Sequence, residues 1–134
     1  MVGQDSGEEL SGHVVICNCN DKVRVIVEEL HNDATHKPLD VVLIVQDEDL
    51  WDKNPEWHPR IDESSETIFK VLFGYPTDLE LLQSAGIQKA RAAVILADPN
   101  HGLKADAPST LTAIAIEKQN PQVHTVMDLI LSVN

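Results

Sequence analysis

Five short apolar runs, separated by stretches with helical spacing, constrain this chain more than any other feature. They are Val14–Cys17, Val41–Gln46, Ile68–Phe73, Ala92–Ala97 and Gln122–Met127. The second is apolar throughout its centre, the pattern of a strand covered on both faces. After the first run, Val23, Ile26, Val27 and Leu30 recur at i, i+3, i+4 and i+7, one face of a helix that Asn20 or Asp21 can cap. After the third, Thr77-Asp78-Leu79-Glu80 has capping-box spacing, with Thr77 as the cap. Leu79, Leu82 and Ala85 then share a face, and Gly86 suits the helix end. After the fourth, Asp98–Ala105 is a loop with Pro99 and Gly102. Asp106 caps a further helix with Pro108 in its first turn, and Leu111, Ile114 and Ala115 form its buried stripe.

Two segments break the alternation. Asn32–Pro38 is a polar break, and Glu48–Thr67 holds Pro55, Pro59, both tryptophans and a dense set of acids, so it reads as an excursion with one helical turn. The rest, strand and helix in turn, predicts an α/β fold with a parallel sheet. Right-handed crossovers make it a Rossmann-like, doubly wound sheet of about five strands in the order 3-2-1-4-5. Five strands rather than six suggest a domain truncated before a sixth strand.

Charge narrows the partners. A net charge of −12 repels phosphate backbones and anionic headgroups, so no nucleic-acid partner is expected. Residues 47–66 hold eight acids against Lys53 and Arg60. No apolar run approaches the ~20 residues of a membrane-spanning helix. Residues 1–12 are polar and acidic, unlike a signal peptide, and are expected to be a disordered linker or remnant preceding a domain of residues 13–134. Cys17 and Cys19 are only two residues apart, a poor geometry for an intramolecular disulfide, so both thiols are expected reduced. No nearby pair of ligands completes a Cys-x-Cys metal site.

Residues 13–20, His-Val-Val-Ile-Cys-Asn-Cys-Asn, run from strand into helix where a dinucleotide-binding fold carries its glycine-rich loop, but the glycines are missing. No serine nucleophile elbow, His–Cys arrangement or helix-borne metal pair is present, and the chain is not expected to be an enzyme.

Four stretches carry a family likeness: His13-Val-Val-Ile-Cys-Asn, Phe73-Gly74-Tyr75-Pro76-Thr77-Asp78, Ala85-Gly86-Ile87-x-x-Ala90-Arg91-Ala92 and Val94-Ile95-Leu96-Ala97-Asp98. Over residues 13–128 the chain resembles the RCK (regulator of potassium conductance, or TrkA-N) domain, and more the type found in ligand-gated potassium channels than the compact Trk type. The resemblance implies a cytosolic regulatory domain at the cytoplasmic face of the cell membrane. It would control gating of a potassium channel or transporter by ligand-biased assembly of lobes, as a homodimer or larger ring joined to a membrane pore domain, with a C-terminal lobe beyond this chain. The alternative is a soluble NAD- or adenine-nucleotide-binding protein, or a degenerate NAD-dependent oxidoreductase.

The resemblance also places candidate ligand residues. Asn18, Cys19 and Asn20 form the strand–helix loop; nucleotide-binding relatives carry glycine at the places of Asn18, Asn20 and Val23. Gln46 stands where a ribose-binding carboxylate is found, with Asp47 one residue on. Tyr75, Thr77 and Asp78 fall where relatives place groups near an adenine or ribose, with Gly74 a further candidate in the same turn, and Ala97 and Asp98 end the fourth strand at the crevice. Each has a local explanation too: an ordinary turn, a solvated strand end, a helix cap. The excursion is a calcium candidate through Asp47, Glu48, Asp49, Asp52, Asp62, Glu63 and Glu66, set against a solvated loop because EF-hand spacing is absent. Asp128 matches an acidic position of divalent-ion sites in some channel-type relatives. Trp51 and Trp57 are candidate anchors of the excursion, either to the body or to another subunit.

Overall fold

The computed structural model describes residues 10–32, 39–60, 67–97 and 106–127, and at residues 32 and 106–109 the backbone alone. Among them lie strands β1 (Val14–Cys17), β2 (Val41–Val45), β3 (Phe69–Phe73), β4 (Ala92–Ile95) and β5 (His124–Met127). The helices are α1 (Val23–Asn32), α2 (Glu48–Lys53), α3 (Leu79–Ser84) and α4 (Asp106–Gln119), with 3-10 turns at Pro55–Trp57 and Ile87–Lys89. The sheet order is β3-β2-β1-β4-β5 and every pairing is parallel. The order expected from the alternation is therefore the one found; the strands are shorter at their ends than the apolar runs that encode them.

The centre of the sheet is buried on both faces. Val14, Ile16, Val41, Leu43 and Val45 point to one side, where Val23 and Val27 of α1 and Trp51 of α2 pack on them. Val15, Cys17, Val42, Ile44, Ala93 and Ile95 point to the other, against Leu82, Ala85, Ile87 and Ile116. This is why the central runs do not alternate: period 2 sorts their side chains between two cores, both dry. Full burial of a Val, Leu or Ile side chain is worth about 1.5–3 kcal/mol, so β1 and β2 dominate the apolar contribution.

Local chemistry departs from expectation at two helices. The cap of α3 is Asp78, whose carboxylate accepts the N–H of Glu80 at 3.0 Å. Thr77, the expected cap, is exposed one residue too early. The Asp78 N–H also donates to the Tyr75 carbonyl at 2.9 Å, closing the turn that sets the helix start. Leu79, expected on the buried face with Leu82, is 49% exposed. In α4 the inward stripe is Thr112 and Ile116, with Ala113 and Ala115 partly covered, while Leu111 and Ile114 are 61% and 46% exposed. A threonine at the inward position disguised the true face. Gly86 holds φ at 72° directly after the α3 cap residue, the left-handed exit expected of it.

The excursion folds back onto the body. Asp47 caps α2 by accepting the N–H of Leu50 at 3.1 Å. Trp51 is buried among the α1-side core, and His58 stacks on it with ring centroids 3.9 Å apart while Nε2 lies 2.8 Å from the Trp51 carbonyl. Trp57 packs at the edge of the same core. The backbone N–H of Arg60 reaches Glu28 at 2.9 Å. That bond, together with the Arg24 guanidinium at 3.0 Å, holds the Glu28 carboxyl below its ordinary range.

His13 joins the start of β1 to the end of α3. Its Nε2–H donates to the Ala85 carbonyl at 2.8 Å, and Nδ1 is buried without a partner. Burial lowers its pKa from 6.5, against opposing pulls from the Ala85 bond and the Asp40 charge. The unfolded chain therefore binds a proton at a pH where the folded chain resists it, and stability falls as pH drops below 6.5. His13→Gln, which keeps a donor toward Ala85 but does not titrate, is expected to flatten that decline in urea unfolding measured between about pH 7.5 and about pH 5.

Candidate functional site

In an open parallel sheet, ligands sit beyond the carboxyl ends of the strands where chain order reverses. Here that point lies between β1, which continues to α1, and β4, which leads to the loop before α4. Asn18, Cys19, Asn20 and Ala97 are all found there, and all are buried.

The loop is shaped by its asparagines. Asn18 has φ 73°, the left-handed region, where asparagine is the least costly side chain after glycine. Its N–H donates to the Ile44 carbonyl at 2.9 Å, and its amide Nδ2 reaches the Leu96 carbonyl at 3.4 Å. Asn20 donates from Nδ2 to the Ala97 carbonyl at 3.2 Å and accepts the Lys22 N–H on Oδ1 at 2.8 Å. The Leu96 N–H in turn bonds the Cys17 carbonyl at 2.9 Å. The β1–α1 turn is thus stitched to the end of β4 by side-chain and backbone bonds together.

This arrangement does not suit a pyrophosphate. A phosphate cradle needs free N–H groups and the close backbone approach that glycine permits. The Lys22 N–H is spent on Asn20, and two amide side chains occupy the approach. Val23, at the place of the third glycine, is fully buried in the α1-side core, so the helix packs through a side chain instead of against bare backbone.

The remaining candidates are spread along the same rim. Gln46 and Asp47 follow β2 and are half-buried, with the Asp47 carboxylate capping α2. Gly74 donates its N–H to the Val45 carbonyl at 2.9 Å with φ 149°, and a Cβ there would lie 2.8 Å from Leu81 Cδ2, so the bend needs glycine. Tyr75 is 65% exposed and Thr77 is exposed. Asp98, Asp128, Asp62, Glu63, Glu66 and the loop Asp98–Ala105 lie outside the described residues. Among the described residues no cluster of three His, Cys, Asp or Glu side chains could hold a metal ion. Burial pushes the Cys17 thiol up to about 12, so it stays protonated and a poor nucleophile at neutral pH.

Sequence reasoning missed one structural residue near this frame. Asn120 donates Nδ2 to the Ile87 carbonyl at 2.9 Å and lies 3.3 Å from those of Gln88 and Ala90, bracing the 3-10 turn before β4. The signal available was an asparagine at the end of a long helix, opposite a short turn.

The comparisons agree with this frame. The family described as the calcium-activated potassium channel slowpoke-like RCK domain matches residues 9–127. A solved structure described as the GsuK channel is similar with a TM-score of 0.63 and 18% identity, covering 90% of this chain and 18% of that one. The crystal structure of the GsuK RCK domain is similar with a TM-score of 0.59 and 18% identity, covering 95% of this chain and 24% of that one. The chain therefore spans less than a quarter of the length of either structure. No curated protein matches it.

Replacing Asn18 by alanine is expected to destabilise the fold by about 1–3 kcal/mol, from left-handed strain and the lost amide bond. Asn18→Gly, which keeps the backbone at ease, is expected to cost less. Urea unfolding of the two variants checks the order.

Proposed function

This chain belongs to the slowpoke-like RCK domain family of calcium-activated potassium channels, and from that premise we propose that it is a regulatory domain, acting on a potassium-channel pore at the cytoplasmic face of the membrane by assembling with further copies. The observation that carries this reading is the family match across residues 9–127, which takes in every strand and helix described.

The structure offers surface for such assembly. β5 is an edge strand, paired with β4 alone among the described strands, and its Val126 is 46% exposed. The outer side of α4 exposes Leu111 and Ile114. Bare strand edges and solvent-facing aliphatic side chains on a neighbouring helix are features that association covers. No helix among the described residues is long and apolar enough to cross a membrane.

In this reading the crevice is a joint, not a cofactor site. The asparagine stitches hold β1 and β4 as one body, and the ligand acts by favouring one arrangement of lobes over another. A coupling of about 1–3 kcal/mol suffices to change gating several-fold or more, and a ligand with equal affinity for both arrangements changes nothing. Calcium is the ligand class favoured by the family's own description, and NAD and adenine nucleotides are disfavoured by the closed loop.

Sedimentation velocity of the chain is expected to show dimers or larger species, with Leu111→Asp combined with Ile114→Asp weakening self-association about tenfold or more while leaving the thermal midpoint nearly unchanged. Monomers at all accessible concentrations would overturn the assembly reading. Calorimetry is expected to show no heat with NAD or ADP; tight binding of either would instead make the crevice a nucleotide site.

A further inference from the structure

Charge is distributed unevenly between the two ends of the sheet, and this carries an inference independent of the crevice. Because every strand is parallel, the carboxyl and amino ends are chemically different. Directly after the carboxyl end of β2, α2 exposes Glu48, Asp49 and Asp52, offset only by Lys53 along its length.

At the amino end of β4 the opposite holds. A groove lies between Gln83, Gly86, Gln88 and Lys89. Arg91 is exposed just before β4, and the backbone N–H of exposed His124 approaches its carbonyl at 3.4 Å. Lys118 is exposed in the last turn of α4. The groove is rigid, since Asn120 braces the turn that carries Gln88 and Lys89. Two carboxylates toward this end are engaged, Glu28 with Arg24 and the Arg60 N–H, and Asp40 with the Ile68 N–H at 2.8 Å, while Glu29 of α1 is exposed. Glu117 is exposed on α4 and partly offsets Lys118. In a chain of net charge −12, such a concentration of cations and amide donors is a local reversal.

We propose that this amino-end groove docks the acidic α2 of a second copy, head to tail. Two copies of so acidic a chain repel at long range, so a stable contact between them must set opposite local charges face to face. The groove supplies the Lys89 ammonium and the Gln83 and Gln88 amides, with exposed Arg91 two residues beyond Lys89, and α2 supplies a short row of carboxylates on a helix fixed by its cap and by buried Trp51. The two surfaces lie at different ends of one molecule, so docking leaves each copy with a free groove and a free α2. Such a heterologous contact propagates into a ring when its rotation closes. It deepens the assembly reading above and fails separately from it. The α4 and β5 contact is apolar and survives salt, whereas this one does not.

The test is sedimentation velocity on the full chain at ionic strengths of about 0.01 M and about 1 M, which change the screening length from roughly 30 Å to roughly 3 Å. Expected are larger assemblies at low salt that weaken ~10-fold or more at high salt. Lys89→Glu with Arg91→Glu, and separately Asp49→Lys with Asp52→Lys, are each expected to abolish the salt-sensitive step. Mixing the two reversed proteins in equal amounts is expected to restore it, because each then meets a complementary surface on the other. The same step is expected to persist in the Leu111→Asp, Ile114→Asp protein, which separates it from the apolar contact. All the substituted side chains are exposed, and thermal melts establish that each variant folds. Assembly indifferent to salt and charge reversal, a mixture no larger than its components, or no salt-sensitive species in the parent chain would overturn the proposal.

Discussion

Burial of β1 on both faces is the constraint from which the rest of the structure follows. Its four residues are at most 3% exposed, and it pairs with β2 on one side and β4 on the other. A strand so placed can offer no polar side chain to either core, and its backbone groups must all be met by neighbours. The register then fixes where each connecting segment begins. The turn after Cys17 and the segment after Ile95 emerge side by side, where the chain's course reverses across the described strands.

The loop at that place differs from the glycine-rich turn of a dinucleotide-binding frame. The same frame that leaves a cradle when the turn is glycine closes when it is asparagine. A left-handed backbone at Asn18 reproduces the bend, and the side chain that glycine lacks is turned into a tie. The helix start at Lys22 is satisfied from within by Asn20. Binding energy that a nucleotide would draw from these groups is already committed to joining two strands. A sheet held in this way moves as one body, a useful property in a domain whose proposed action is to change its arrangement against other copies.

The excursion between β2 and β3 follows a similar economy of parts. Glu48, Asp49, Asp52 and Glu56 are solvent-facing, yet the described part of this segment is anchored by Trp51 in the α1-side core, by the stacked His58 and by the reach of Arg60 to Glu28. Anchoring gives α2 a fixed orientation, so its carboxylates form a defined surface instead of a diffuse cloud. The amino end of β4, with Lys89 and Arg91 on a braced turn, has the same definition with the opposite sign.

The sequence by itself determined the parallel sheet, its strand order, the course of α1 and the anchoring role of the tryptophans, because apolar period and length are local properties that the core merely enforces. It also showed that the glycine loop was missing. It misplaced the α3 cap by one residue, since Thr77 and Asp78 are both good caps and only the Tyr75 turn selects between them. It chose the wrong face of α4, since Leu111 and Ile114 look more buried than Thr112 until α3 and β4 dictate which side faces in. The roles of Asn18, Asn20 and Asn120 were decided by tertiary structure alone. An amide becomes a tie only when a carbonyl from a distant segment arrives within hydrogen-bond reach, and no local pattern encodes that arrival.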